Sequence, residues 1–263
     1  MTLHASAASI RTLCSDKRES IELIPLVNPL KTGPGISVVI PARNEVDSIR
    51  LTVSDCLRVL KSMEIEFEII VVDDGSQDGT TDSLKDLNCR IVSNPNPPHG
   101  KGVALRKGFS AARYPTILML DGDYSHRAED IPLLYDEFSK GYGLVIGDRF
   151  IGGSDEYTFT RSFGNHFLTL AFSLLFGVQL NDALNGYKIF DRKVYDSFPY
   201  TAKDYSIEIE LLANTRRLGL SIGQVRSHER RRYGGRSKSF AIRHGVSFLS
   251  RILYERFRTL SSK

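Results

Sequence analysis

Residues 67–76 read FEIIVVDDGS, an apolar, largely β-branched run that stops at two aspartates, a glycine and a serine. A short continuous apolar run bounded by turn residues is consistent with a strand buried on both faces of a parallel sheet. Upstream, residues 36–40 (ISVVI) repeat the pattern and end at Pro41, and residues 45–63 place Val46, Ile49, Val53, Leu57 and Leu60 at helical spacing. Downstream, the pattern predicts a helix over 80–87, a strand over 89–92, a loop over 93–100 and a helix over 101–112. A strand over 116–120, a helix from Glu129 and a strand over 143–146 follow. This alternation implies an α/β fold: an open, mostly parallel sheet flanked by helices, with ligands beyond the carboxyl ends of the strands. Pro41-Ala-Arg-Asn-Glu45, Asp73-Asp74-Gly75-Ser76, Asp121-Gly122-Asp123 and Gly147-Asp148-Arg149 each follow a strand, so they are expected to meet along one edge.

The chain of 263 residues, 41% hydrophobic and 25% charged, has ordinary globular composition and enough length for one sizeable core. Its net charge of +4 is unevenly spread: acids gather around 73–86 and 121–137, and the last forty residues are strongly basic. Such asymmetry suits a face for phosphate or an anionic surface. Cys14, Cys56 and Cys89 lack C-x-x-C spacing, which disfavours a disulfide framework or a zinc site and fits a reducing compartment. No apolar run reaches the roughly 18–20 residues that span a bilayer, and the N-terminus has no signal-peptide core. A cytosolic location is the default expectation.

Residues 1–34, with Pro25, Pro29, Gly33 and Pro34, read as an extension without chemistry. Residues 163–178 (FGNHFLTLAFSLLFGV) are apolar on several sides, too short to cross a membrane but able to lie in its interface. A polar turn with Asn181, Asp182, Asn185 and Gly186 leads to a strand over 187–190, a helix around 207–217 and a strand near 222–225. The basic stretch 226–238 (RSHERRRYGGRSK) then precedes an amphipathic helix over 240–260.

Asp121-Gly122-Asp123 carries the chemistry. Two carboxylates one residue apart after an apolar strand offer hard oxygen ligands where Mg²⁺ or Mn²⁺ could bridge protein and diphosphate. Asp73-Asp74-Gly75-Ser76 reads equally as a carboxylate for a base or ribose and as a plain capped turn. Asn44 or Glu45 can cap the following helix, and the Glu45 carboxylate can also hold a nucleotide. His99-Gly-Lys-Gly102 lacks the P-loop pattern, and no G-x-G-x-x-G follows the first strand, so P-loop and nicotinamide or flavin chemistry are disfavoured.

In order, Pro41-x-x-Asn44-Glu45, Val72-Asp73-Asp74-Gly75-Ser76-x-Asp78-Gly79-Thr80, Gly100-Lys101-Gly102-x-Ala104 and Asp121-x-Asp123 resemble the family 2 glycosyltransferases of the GT-A, Rossmann-like fold. Gly147-Asp148-Arg149-Phe150, Arg161-Ser162-x-x-Asn165, Asn181-Asp182-x-x-Asn185-Gly186-Tyr187 and Gly235-Arg236-Ser237-Lys238 are similar to the dolichyl- or polyprenyl-phosphate mannose and glucose synthases. The resemblance covers about residues 36–240. It implies a GT-A domain over 35–240, after the 1–34 extension and before a basic amphipathic helix at 241–263.

By position, the resemblance implies nucleotide contacts at Glu45 and Asp73 with Pro41 at the base, joined by Asn44, Asp74, Lys101, Asp121 and Gly122. Asp121 and Asp123 become metal ligands. Ser125 stands where mannose synthases often carry the Gln of D-x-D-x-Q-H, and it still offers an oxygen. Asp123, Arg149, Arg161, Arg232 and Lys238 are the expected catalytic set around the diphosphate and an acceptor phosphate. The implied reaction is an inverting transfer of one hexose, mannose from GDP-mannose first, to a polyprenyl or dolichyl phosphate at a membrane surface. UDP-glucose or a UDP-N-acetylhexosamine stays open as donor, and so does a separate membrane-anchoring partner. The chain has no Trp, so the Q-x-x-R-W motif of processive polymer synthases is missing. A non-catalytic nucleotide- or nucleic-acid-binding module would leave D-x-D without purpose, and basic and aromatic residues are not interleaved as RNA readers require. No nucleic-acid partner is expected.

Overall fold

The computed structural model describes residues 35–94, 99–234 and 241–258. Seven strands form one sheet: β1 (Gly35–Ala42), β2 (Glu66–Asp73), β3 (Arg90–Ser93), β4 (Thr116–Met119), β5 (Leu144–Asp148), β6 (Lys188–Asp191) and β7 (Ile222–Arg226). Their order across the sheet is β3-β2-β1-β4-β6-β5-β7. All pairings are parallel except those of β6, which runs antiparallel to β4 and β5 on either side. The helices are α1 (Ile49–Ser62), α2 (Lys101–Ala111), α3 (Ile131–Phe138), α4 (Arg149–Gly152), α5 (Phe159–Phe176), α6 (Arg192–Asp196), α7 (Ile207–Arg217) and α8 (Ala241–Phe257). The expected α/β sheet is therefore present, with one reversed strand.

Alternate residues of each strand feed two separate cores, as a two-sided sheet requires. Val39, Ile70, Val72 and Met119 pack with Leu105 and Phe109 of α2 and with residues of α5 and α7. Val38, Ile40, Ile69 and Val71 pack on the opposite side with Ile49, Val53 and Leu60 of α1 and with Ile131 and Leu134 of α3. Helix α2 lies flush on the sheet because residue 108 is Gly: a Cβ there would come within 2.3 Å of Val39 Cγ1. Its neighbour Phe109 meets Phe190 and Tyr195 edge-on at 5.2 and 5.3 Å.

Two local features depart from the sequence pattern. Residues 80–87 form only a 3₁₀ turn at Asp82–Leu84, because Thr80, Thr81, Asp82 and Asp86 favour helices poorly and Leu84 alone there is a buried apolar anchor. Residues 159–176 form the eighteen-residue helix α5, started by the Thr158 hydroxyl, which accepts the Arg161 N–H, and ended by Gly177 at φ 61°.

Helix α8 docks on the core through Ile252, with Phe248 and Leu249 beside it. Buried Glu210 and Glu255 reinforce this: Arg258 reaches Glu210 at 3.2 Å, Arg217 reaches Glu255 at 2.8 Å, and Arg251 reaches Glu255 at 3.0 Å. Val246, Leu253 and Phe257 remain exposed on its other side. No helix among the described residues is long and apolar enough to cross a membrane.

Phe109→Ala removes a fully buried ring and is expected to lower unfolding free energy by about 3–5 kcal/mol, read as a fall in the urea midpoint.

Candidate active site

The carboxyl ends of β1, β2, β4 and β5 open onto a cleft of about 480 Å³. Strand β6 enters this edge from the other direction, so the polar turn that precedes it, residues 181–187, lies at the same edge as the turns that follow the parallel strands. Pro41, Glu45, Asp74, Lys101, Asp121, Gly122, Asp123, Ser125, Arg149, Arg161 and Arg232 all line the cleft. Asn44 and Asp73 do not belong to its lining, and Lys238 lies outside the described residues.

Asp121 leaves β4 directly into an ion pair, its Oδ1 2.6 Å from Lys101 Nζ. Lys101 also reaches Oε1 of Glu208 at 2.8 Å. Burial works against charge on Asp121, but the Lys101 ammonium outweighs it, with help from His126, and holds the carboxyl far below its usual range. Burial likewise opposes the charge on Lys101, and Asp121 and Glu208 overcome it, so its pKa is raised. His126 is buried against the Tyr187 ring at 4.9 Å, with Nε2 3.5 Å from Asp121 Oδ2, too long for a well-formed hydrogen bond.

Asp123 is held by its own loop. Its Oδ1 accepts the Ser125 N–H at 3.1 Å and the Ser125 hydroxyl at 2.6 Å. Tyr124 between them takes a left-handed φ of 65°, a strained choice for a non-glycine residue. The strain is offset where the Tyr124 hydroxyl donates to Asp55 at 2.8 Å and the Arg230 guanidinium covers its ring at 4.5 Å. Past β7 the chain runs alongside this loop, with the Arg230 N–H donating to Ser125 O at 2.8 Å and the Tyr233 N–H to Asp123 O at 3.0 Å. Asp123 Oδ2 faces Arg232 at 3.7 Å.

The first two turns are braced mostly by their own side chains. Asp73 Oδ1 accepts the Ser76 N–H at 3.0 Å, the Asn44 N–H donates to the Ser76 hydroxyl at 2.9 Å, and Asn44 Oδ1 accepts the Gln77 N–H at 2.9 Å. Asp73 and Asn44 thus shape the turns. Asp74 gathers the Gly100 N–H at 2.9 Å and the Asn94 amide at 2.9 Å, which draws the start of α2 to the cleft.

Arg149, Arg161 and Arg232 each meet a carboxylate. Arg149 grips Asp182 bidentately at 2.6 and 2.9 Å and Glu229 at 3.0 Å, and its ring neighbour Tyr157 lies 5.3 Å away. Burial opposes the charges of both Arg149 and Asp182; their mutual attraction prevails, raising the arginine and lowering the aspartate. Arg161, on the first turn of α5, has Glu156 at 3.4 Å. Arg232 reaches Glu45 at 3.2 Å.

Among the described residues, seven carboxylates line the cleft (Glu45, Asp74, Asp121, Asp123, Glu156, Glu208, Glu229) against five cations (Arg43, Lys101, Arg149, Arg161, Arg232). That excess of two negative charges suits a divalent cation. Among the same residues, no three His, Cys, Asp or Glu side chains gather as a metal cage. Asp121 and Asp123 offer two hard carboxylate donors to the cleft, the donor type that Mg²⁺ takes when phosphate oxygens complete its shell.

Sequence reasoning overlooked Glu208, 2% exposed, and Lys188, fully buried on β6. The signal for Glu208 was Ile207-Glu-Ile-Glu210, two acids set among aliphatic residues of a helix, since buried charges demand partners. Lys188 donates to Asn185 O and lies 4.0 Å from Glu208 Oε2.

Residues 37–198 match the family described as Glycosyl transferase family 2, and the chain belongs to that family. Glycosyltransferase AglJ of Haloferax volcanii is 30% identical over 193 residues, 73% of this chain and 61% of that protein. The chain thus spans about three-fifths of that relative's length. A dolichyl-phosphate hexose transferase of the same organism is 26% identical over 203 residues, 77% of this chain and 86% of the relative. The crystal structure of glucosyl-3-phosphoglycerate synthase from Mycobacterium tuberculosis, in complex with Mn²⁺, UDP and glucosyl-3-phosphoglycerate, superposes with a TM-score of 0.69. It is 27% identical, covering 87% of this chain and 82% of that one.

Burial pushes Lys188 from its ordinary 10.5 down to about 8, with Glu208 acting the other way. The unfolded chain then binds this proton more tightly, so the charged lysine opposes folding fully below about pH 8 and less as pH approaches 10.5. Relative to Lys188→Met, the wild-type chain is expected to gain stability between pH 8 and 10, measured by urea unfolding at both. A pH-independent difference would contradict this.

Proposed function

We infer that this chain transfers one hexose from a nucleotide-sugar to a polyprenyl or dolichyl phosphate at a membrane surface, inverting the anomeric centre in a single displacement. The observation that carries the reading is one cleft joining Asp121 and Asp123 to arginines beside the apolar helix α5. Asp121, Asp123 and the Ser125 oxygen are the residues that would hold Mg²⁺ or Mn²⁺. The bound cation supplies Lewis-acid neutralisation of the leaving diphosphate.

The residues of the chain do the remaining work by position and charge. A phosphomonoester acceptor is largely ionised near neutral pH, its second pKa being about 6, so no strong general base is needed. Arg149, Arg161, Arg232 and Lys238 orient the phosphates against the anomeric carbon, and arginine forks suit phosphate oxygens bidentately. Pro41, Asn44, Glu45, Asp73 and Asp74, with Lys101, Asp121 and Gly122, form the nucleotide end, Asn44 and Asp73 also fixing its turns. GDP-mannose is the first donor to test. UDP-glucose or a UDP-N-acetylhexosamine is the second, favoured by Ser125 in place of Gln and by the UDP of the similar solved structure.

Purified protein given labelled GDP-mannose, UDP-glucose or UDP-N-acetylglucosamine, polyprenyl phosphate and Mg²⁺ or Mn²⁺ is expected to move label into the organic phase with one donor. Asp123→Ala should lose at least ~10²-fold of that activity, the scale on which one electrostatic contact to the leaving charge acts. Label that stays aqueous with every donor would reject the acceptor assignment.

The membrane part of the reading rests on the outer face of α5, where Phe159, Phe163, Phe167, Leu170 and Leu174 are exposed at three- and four-residue spacing. Such a stripe suits a bilayer interface and a polyprenyl chain, with the basic stretch after β7 and a separate anchoring partner as further aids. Phe163→Glu with Leu174→Glu is expected to reduce flotation with anionic vesicles about tenfold or more while leaving the urea midpoint nearly unchanged. Unaltered flotation would exclude this face.

A further inference from the structure

The Asp121 carboxylate already holds a cation. Lys101 Nζ sits 2.6 Å from its Oδ1 and 2.8 Å from Oε1 of Glu208, and the Tyr205 ring centre is 5.0 Å away. Space for this bridge exists because residue 186 is Gly. A Cβ there would stand 3.0 Å from both Lys101 Nζ and Asp121 Oδ2 and 3.2 Å from Glu208 Oε1. The lysine springs from the first residue of α2, whereas Glu208 is buried on α7 and gives the ammonium a fixed second acceptor. An ammonium on a flexible stem can shift its weight between two carboxylates.

Resting on the metal reading above, we propose that Lys101 is a positioning residue that neutralises Asp121 before the divalent cation arrives, then yields that oxygen while Glu208 retains it. A divalent ion and an ammonium on one carboxylate repel each other, so the bare protein binds the metal weakly. A diphosphate brings negative charge next to Lys101 and removes that repulsion. Metal and nucleotide therefore bind with positive coupling, and Lys101 generates it. Glu208 keeps the displaced ammonium beside the cleft, where it faces the diphosphate. The two side chains act in opposite senses: removing the lysine frees Asp121, whereas neutralising Glu208 leaves the lysine to Asp121 alone.

The test is Mn²⁺ titration of the full chain, following free Mn²⁺ by electron paramagnetic resonance, without nucleotide and with GDP or UDP. Lys101→Met is expected to tighten Mn²⁺ binding without nucleotide, by a factor within the ~5- to 150-fold range of site–site coupling, and to shrink the diphosphate effect. Glu208→Gln should weaken Mn²⁺ binding without nucleotide. A lysine that only contacted nucleotide, or only supported the fold, would not produce these opposite shifts. Unchanged or weaker Mn²⁺ binding by a folded Lys101→Met overturns the inference while leaving the metal reading in place. Should Lys101→Met not fold, tighter or unchanged binding by Glu208→Gln overturns it instead. Wild-type protein that binds no Mn²⁺ with either diphosphate overturns the metal reading and this inference together.

Discussion

The ion bridge Asp121–Lys101–Glu208 ties the turn after β4, the first turn of α2 and the first turn of α7 into one polar unit. Each member is largely buried, and charges so placed are tolerated only when every one has a close partner. The bridge therefore constrains its surroundings. Residue 186 is held without a side chain, and β6 must enter from the opposite direction to bring it there. Helix α2 must begin at the cleft, which Asp74 secures by accepting the Gly100 N–H. Lys188, on the same face of β6 as Phe190, lies 4.0 Å from the other oxygen of Glu208, so the core shared with α2 and α7 begins where the polar unit ends.

The same principle governs the cation wall. Arg149 is engaged by Asp182 and Glu229, whereas Arg232 meets Glu45 at 3.2 Å and Asp123 at 3.7 Å and leaves its buried Nε without a partner among the described residues. Bare guanidinium groups aimed at one another in a cleft repel, whatever ligand the cleft takes. Acidic partners fix the forks in place at little cost in repulsion, and each partner lies at the cleft rim or beneath it. Arg161, with a single 3.4 Å contact, is the loosest of the three. It also sits on α5, the helix that carries the exposed apolar stripe.

Much of this was legible in the sequence because parallel strands are short apolar runs and the polar turns come directly after them. Residues 36–40, 67–72 and 116–120 declare both the sheet and the edge on which Pro41, Asp74, Asp121 and Asp123 meet. What escaped was set by tertiary packing. The direction of β6 cannot be read from Tyr187-Lys-Ile-Phe190, since a buried strand looks alike in either sense. Its reversal explains why a motif preceding a strand joins motifs that follow strands. Asp73 and Asn44 carry side chains suited to a binding site and also make hydrogen bonds that close turns, a double use built into Asx chemistry. Glu208 and Lys188 come together only through the fold, which buries both and sets them 4.0 Å apart.

Helix α5 brings the two halves of the molecule's chemistry together. Its inner face presents Asn165, Leu168 and Phe172 to the cleft and core, while Phe163 and Leu174 face outward. A helix with Phe on both sides cannot bury them all against one sheet, and the geometry leaves the surplus on the rim of a cleft lined by carboxylates and arginines. Buried charge at the sheet edge and exposed apolar surface beside it are the two demands of the proposed reaction, in which a hexose passes to a lipid-bound phosphate and its diphosphate departs. One domain meets both because the helix that carries Arg161 also carries the stripe, so the polar and apolar parts of an acceptor would be registered by a single rigid element.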